Sequence, residues 1–132
     1  MKITVDTNVL VRAAVQDDKK QTLMAVKVLQ KATLVAIPLP VLCEFVWALR
    51  SGYKKSIADI SYAILKLMNS SNVAMNRPAV EAGLAVHDEG GDYADGVIAY
   101  ERNWLGAKEF VSIDKKAVLL LKNQGKAARL LT

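Results

Sequence analysis

The chain has 132 residues, of which 52% are hydrophobic, and carries 18 basic against 13 acidic residues for a formal net charge of +5. This composition is sufficient for one domain with its own core, and it contains no run of about 18 apolar residues that could span a bilayer. The basic excess predicts a polyanionic partner and excludes no soluble enzyme class by itself.

Apolar periodicity, capping residues and turn residues divide the chain into alternating strands and helices. In chain order, the pattern predicts strand 2–6, helices 8–15 and 19–31, strand 34–37, helices 38–49 and 56–68, strand 73–75, helices 78–87 and 93–103, strand 110–113, helix 115–123 and an edge strand at 128–131. Alternation of this kind is typical of a parallel sheet covered by helices. We expect an α/β fold, three-layer α/β/α with a central parallel sheet of four to five short strands, formed by residues 1–132 as a single domain.

The few cysteine and histidine residues exclude several kinds of chemistry. Cys43 is the lone cysteine, so no internal disulfide can form, and no signal peptide is visible before the first strand. We therefore expect a cytoplasmic protein. His87 is the lone histidine, which excludes a Cys/His zinc site and a two-histidine acid–base pair. We expect His87 to be a partly exposed helix residue without a catalytic role.

Several carboxylates lie where apolar segments end or are interrupted. Asp6 and Asp114 follow predicted strands, Glu44 interrupts an apolar helix, and Asp92 and Asp95 open another helix. A buried, unpaired carboxylate is unfavourable or takes up a proton, so a bound hard cation would explain such positions. In open α/β sheets, ligands bind beyond the carboxyl ends of the strands, where Asp6 and Asp114 are expected. Each acid also has a structural explanation: Asp6 and Asp95 as helix N-caps, Asp114 as a turn residue, and Glu44 as a buried ion-pair partner.

The order of the acidic motifs resembles a known family. The motifs are Asp6-Thr7-Asn8, Pro40-x-x-x-Glu44, Asp92-Tyr93-Ala94-Asp95-Gly96-Val97-Ile98-Ala99 and Ser112-Ile113-Asp114. In this order and spacing they closely resemble the PIN-domain nucleases and, among these, the VapC-type toxins of bacterial and archaeal toxin–antitoxin pairs. The resemblance extends over essentially the whole chain. Two departures are Gly96, where these proteins often have alanine, and Asp92, which duplicates an acid that the family commonly supplies once.

The resemblance implies a Mg²⁺-dependent or Mn²⁺-dependent endoribonuclease. Asp6 and Asp95 would be the main metal ligands, directly or through water, with Glu44 and Asp114 completing the catalytic cluster. Asp92 is the alternative ligand to Asp95, and we favour Asp95 because it directly precedes the apolar helix. A further group of short polar residues beside the ligands would either orient them or act as caps and turn formers: Thr7, Asn8 and Ser112.

Other functions remain open from the sequence. A housekeeping PIN nuclease would share every motif with a toxin, and a catalytically weak PIN-like module could bind RNA or protein without cutting. A metal-dependent phosphatase would use Asp6 as the nucleophile, but the second acid of that motif is replaced here by Asn8.

The resemblance also implies two protein partners. A VapB-type antitoxin would place an Arg or Lys near the carboxylates, where a cation blocks the metal and the substrate. A second copy of the chain would form a homodimer. For this contact the sequence offers a group of apolar residues around a helix end: Val46, Trp47, Leu49, Tyr53 and Ile57.

Overall fold

The structure, a computed structural model, describes all residues, Met1–Thr132. Its five strands are β1 (Lys2–Thr4), β2 (Leu34–Ala36), β3 (Val73–Ala74), β4 (Phe110–Ser112) and β5 (Ala128–Leu130). Its seven α-helices are α1 (Thr7–Val15), α2 (Lys19–Lys31), α3 (Leu39–Trp47), α4 (Ile57–Met68), α5 (Arg77–Asp88), α6 (Tyr93–Leu105) and α7 (Lys115–Asn123). None of these helices has the length and the apolar run that a bilayer crossing requires.

The elements follow the predicted order, and α2 and α7 begin and end at the predicted residues. The other elements differ from the prediction at their ends. The clearest difference lies after α3, where the predicted helix ends earlier and a π-helical turn, Ala48–Gly52, continues it. Ser56 caps α4 as expected, because its hydroxyl accepts a hydrogen bond from the Asp59 backbone N–H at 3.0 Å.

The chain forms two compact units, Met1–Asn76 and Arg77–Thr132. In the first unit, β1, β2 and β3 pair in parallel in the order β1-β2-β3. In the second unit, β4 pairs in parallel with β5. The predicted mixed α/β fold with parallel strands is confirmed and is consistent with a PIN-like α/β/α architecture. The five strands pair as one sheet of three and one sheet of two.

The core of the first unit forms where β2 meets the inward faces of α1, α3 and α4. Val35 lies on β2, the central strand of the three, and is fully buried, whereas Leu34 and Ala36 of the same strand are half-buried. The helices bury large side chains at helical spacing, among them Leu10, Leu42, Phe45, Ile60 and Ile64. Val46 and Leu49 belong to this core, with 3% and 2% exposure. The prediction that these two residues help to form a dimer surface is therefore wrong.

The core of the second unit contains residues from α5, α6, α7 and β5: Val86, Ala99, Val118, Leu121 and Ala128. His87 also lies inside this unit, with 1% exposure, which corrects the expectation of a partly exposed side chain. Its position in the last turn of α5 was predicted, but the face of the helix that it occupies is set by packing.

The closest packing in the second unit is between α5 and α6, and it explains the unusual glycine of the acidic motif. A Cβ on Gly96 would overlap the carbonyl oxygen of Ala82 and would lie 2.8 Å from the Cα of Gly83. A Cβ on Gly83 would lie 2.6 Å from the ring of Tyr93. These contacts leave no room for an alanine at the position of Gly96. The close approach also fixes the start of α6, where Asp95 lies.

Candidate active site

In the first unit, Asp6 lies just after β1 and begins α1. It has an extended backbone and is the N-cap residue, and its Oδ1 accepts a hydrogen bond from the Val9 backbone N–H at 3.2 Å. The cap leaves the side chain exposed to solvent. A carboxylate can cap a helix and bind a cation at once, because only one of its oxygen lone pairs is used by the cap.

Glu44 is connected to the same helix start through Thr7. The Thr7 hydroxyl donates to Glu44 Oε2 at 2.8 Å, which joins α1 to α3. Glu44 is exposed and accepts from a hydroxyl, so the alternative of a buried ion-pair partner does not apply. This is the contact that an orienting role for Thr7 requires.

These side chains border an open cleft of about 680 Å³ in the first unit. Its lining residues come from the start of α1 and from one side of α3 and its π-helical extension: Asp6, Thr7, Asn8, Val41, Glu44, Trp47 and Ala48. A larger groove of about 870 Å³ lies between α1, α2 and α4, and none of the predicted site residues lines it.

In the second unit, the structure distinguishes between Asp92 and Asp95. Asp92 is the N-cap of α6 and accepts a hydrogen bond from the Ala94 backbone N–H at 3.0 Å. Asp95 lies in the first turn of the helix, so its side chain is not needed for the cap. Asp92 is exposed, whereas Asp95 is half-buried. The N-cap explanation offered for Asp95 therefore belongs to Asp92.

The environment of Asp95 disfavours its negative charge. Burial raises the pKa of the Asp95 carboxyl from 3.8 to about 6, and the charges of Asp92 and then of Asp114 add to the effect. A group of this kind is either protonated or compensated by a cation near neutral pH. The three carboxylates thus influence each other electrostatically within one unit.

Asp114 is the N-cap of α7, just beyond β4. Its Oδ1 accepts hydrogen bonds from the backbone N–H groups of Lys116 at 2.9 Å and Ala117 at 3.2 Å. Ser112, the last residue of β4, accepts a hydrogen bond from the Asp114 backbone N–H at 3.0 Å. Ser112 therefore shapes the turn that presents Asp114.

The donor chemistry of these residues fits a hard cation. All five acids offer carboxylate oxygens, the ligand type that Mg²⁺ prefers. No three Asp, Glu, His or Cys side chains lie close enough together to form a ready-made set of metal ligands. Mg²⁺ does not require such a set, since it usually keeps several waters and is bound through one or two carboxylates plus substrate phosphate.

One pair of basic residues lies in the second unit outside any ion pair. Two ion pairs join Arg12 to Asp17 and Arg129 to Glu109, at 2.8 Å each. Arg102 and Lys126 take part in neither. Burial and then the Arg102 charge lower the pKa of Lys126. This positive charge without a carboxylate partner suits an anion such as phosphate.

Sequence reasoning missed the position of Trp47. It was assigned to an apolar dimer surface, but it lines the cleft beside Asp6 and Glu44. The available signal was its spacing from Glu44, because residues three apart on a helix lie on the same side. This spacing cannot show that Trp47 is exposed beside Glu44 unless the buried side of α3 is known.

A family model described as the PIN domain matches residues 3–100. The chain belongs to the PIN-domain family, whose members are typically nucleases. No curated protein was found to match the chain.

Proposed function

We propose that this protein is a Mg²⁺-dependent endoribonuclease that hydrolyses RNA phosphodiester bonds, with Mn²⁺ as an alternative metal. The observation that carries the proposal is the half-buried Asp95 beside Asp92 and Asp114, in a chain of a nuclease family. A half-buried carboxylate beside two other carboxylates has no neighbouring positive charge to compensate it, and a bound cation would supply that charge.

In this proposal Asp6 and Asp95 are the main metal ligands, and Glu44 and Asp114 complete the set. Bound Mg²⁺ would lower the pKa of a water and stabilise charge on the leaving oxygen. Thr7 would keep Glu44 in place through its 2.8 Å hydrogen bond. Asp92 would act chiefly as the helix cap and as a neighbouring negative charge, which makes Asp95 the preferred ligand of the two.

RNA is the proposed substrate because of family and charge. The chain has a net charge of +5 although several of its acids are assigned to the metal. The remaining surface is correspondingly more basic, and Arg102 and Lys126 provide one site for a phosphate contact.

The direct test is a cleavage assay with purified protein and a mixture of RNAs. Cleavage is expected with Mg²⁺ or Mn²⁺ and none with EDTA. A generic phosphatase substrate run in parallel distinguishes the rival phosphatase. RNA retention without cleavage under all metal conditions would indicate a binding module and would refute the enzyme.

We further propose that the protein is the toxin of a VapBC-type pair, inhibited by a VapB-type antitoxin that brings an Arg or Lys to the carboxylates. Co-expression with the product of an adjacent small gene should restore growth and abolish cleavage. Undiminished cleavage at saturating partner would favour a housekeeping nuclease.

A homodimer is also part of the proposal. Of the apolar residues predicted for the contact, Ile57 is exposed at 44% and Tyr53 is half-buried, whereas Trp47 lines the cleft beside Glu44 and is left out of the proposed contact. Tyr53 receives a hydrogen bond from Arg12, so its hydroxyl is occupied within the chain. Light scattering that gives a monomer mass at tens of micromolar protein would remove the dimer.

A further inference from the structure

Trp47 is a large apolar residue that lines the same cleft as the carboxylates of the first unit and remains open to solvent. It ends α3, and 70% of its side chain is exposed. Its neighbours in the chain behave differently, since Val46 is buried at 3% exposure. Trp47 lies three residues after Glu44, so both side chains project from the same side of the helix.

Exposure alone does not mark Trp47 as functional, because single apolar residues are common on protein surfaces. Its surroundings do. The side chain lines the 680 Å³ cleft together with Asp6, Thr7, Asn8 and Glu44. The cleft therefore combines carboxylates at one side with a flat aromatic ring within about one helical turn of them.

Carboxylates and an exposed indole select different parts of a nucleic acid. The carboxylates can act on the phosphodiester through a cation, while an aromatic ring binds a nucleobase by stacking. A base held in a duplex has both faces covered, so stacking requires an unpaired nucleotide. The ring and the carboxylates line one cleft, so a strand lying in it could present a base to the ring and a phosphate to the carboxylates.

We propose that Trp47 is the stacking platform for an unpaired base next to the scissile phosphate. This inference rests on the proposed ribonuclease function. A second copy of the chain is a less suitable occupant, because a partner that covered Trp47 would also cover the cleft, and the adjacent Val46 and Leu49 are buried and offer no apolar surface to extend the contact.

The chain contains a matched control in its other tryptophan. Trp104 is 77% exposed, lies in the last turns of α6, and donates its indole N–H to the Tyr100 hydroxyl at 3.3 Å. It does not line the cleft. Both substitutions remove a large exposed ring, and the positions differ in location and in the hydrogen bond that Trp104 makes.

The first experiment measures cleavage kinetics for Trp47→Ala, Trp47→Phe and Trp104→Ala on an RNA oligonucleotide cut by the parent. The same cut site is presented unpaired and within a hairpin stem. Trp47→Ala should raise KM for the unpaired substrate by about tenfold, with a smaller change in kcat. Trp47→Phe should retain most of the affinity, because phenylalanine also stacks. Trp104→Ala should match the parent, and the parent should prefer the unpaired substrate.

The second experiment leaves Trp47 in place. In a Trp104→Phe background Trp47 is the only indole, and Asp6→Asn prevents cleavage during the titration. Single-stranded oligonucleotide should quench and shift the fluorescence of this protein, and a fully paired duplex of the same sequence should do much less. This measurement does not depend on the folding of a Trp47 variant.

The outcomes separate the inference from the proposed function. If the parent cuts RNA, an unchanged KM in Trp47→Ala together with unchanged fluorescence overturns the stacking platform. If Trp47→Ala turns a dimer into a monomer by light scattering while its KM stays at the parent value, the ring is a contact between copies and the inference is wrong. If the parent does not cut RNA, the ribonuclease proposal fails, and the fluorescence titration alone decides whether Trp47 binds an unpaired base.

Discussion

The acidic residues of the two units are held in contrasting ways. In the first unit, Asp6 and Glu44 are exposed, and each accepts a hydrogen bond from a neighbour, Val9 N–H and the Thr7 hydroxyl respectively. In the second unit, Asp95 is half-buried beside two other carboxylates, and its pKa is raised to about 6. The first pair is well solvated and already ordered. Asp95 is the residue whose charge most needs a cation, so the second unit should respond more strongly to metal and to pH.

The largest expected effect is the loss of activity on neutralising a ligand in either unit. Asp6→Asn and Asp95→Asn should each lower cleavage by about 10³-fold or more, because several kcal/mol of transition-state stabilisation are lost with the metal. Both should stay folded, since Asn caps a helix about as well as Asp and Asp95 does not cap one. Cleavage rates and circular dichroism melts measure the two effects.

Asp18→Asn is the matched control for Asp6→Asn. Asp18 caps α2 by accepting a hydrogen bond from the Gln21 backbone N–H at 3.1 Å, as Asp6 caps α1. The Asp18→Asn variant should cut RNA at the parent rate. If Asp6→Asn does so as well, Asp6 is only a cap. Asp92→Asn should have a milder effect than Asp95→Asn, and the reverse order would make Asp92 the ligand.

A smaller effect is expected from filling the contact that positions Asp95. Gly96→Ala would force a Cβ against the Ala82 backbone, which cannot move aside as a side chain could. We expect a loss of about 2 kcal/mol of unfolding free energy from overpacking, measured by urea denaturation. Gly52→Ala is the control, since a Cβ there meets nothing within 4 Å. Equal stability of Gly96→Ala and the parent would show that α5 and α6 can separate without cost.

Metal binding should stabilise the parent protein. The half-buried Asp95 and the exposed Asp6 should contribute to this stabilisation to different extents. At Mg²⁺ or Mn²⁺ tenfold above Kd, the native state gains about 1.4 kcal/mol by mass action. The gain in melting temperature should nearly vanish in Asp95→Asn and shrink in Asp6→Asn. If the same metal serves both residues, the double variant should lose no more than the worse single variant. Additive losses would mean that Asp6 and Asp95 bind separate ions.

The smallest effect is the pH dependence of the metal-free protein. Because the folded pKa of Asp95 is raised from 3.8 to about 6, the native state holds more protons than the unfolded state within this window. Stability should therefore fall as pH rises from about 4 to about 6, by about 1 kcal/mol after discounting for solvent screening. Urea titrations in EDTA, compared with Asp95→Asn, isolate this contribution. A parent and a variant with parallel pH profiles would contradict the raised pKa.

Much of the fold could be predicted because its signals are local. Ser56 and Asp6 are short polar side chains ahead of apolar helical runs, and each caps the helix that follows, as expected. Asp114, expected as a turn residue, also proves to be an N-cap. The bounds of α2 and α7 were also predicted from local signals, namely apolar residues at helical spacing in α2 and Gly125 just after α7. The grouping of the strands into sheets of three and two was not predicted, because the pairing of strands of two or three residues depends on tertiary contacts.

The candidate site was predicted as a set of residue types but not as an environment. The acids were named from their places in the sequence, yet only the structure shows that Asp92 is the cap and that Asp95 is half-buried. The order of these acids along the chain does not show how far each side chain is exposed to solvent. The need for glycine at position 96 likewise depends on a helix that is distant in the chain and close in space.

By itself, the sequence determined the α/β class, the helix starts and the identities of the carboxylates, since capping and apolar periodicity act between residues a few positions apart. The tertiary structure decided which side of each element is buried. It placed Val46 and Leu49 in the core and left Trp47 open beside Glu44, and it turned His87 inward. Burial depends on contacts between elements far apart in the chain. Neighbouring residues of one helix can therefore differ, one being buried in the core and the next exposed in the cleft.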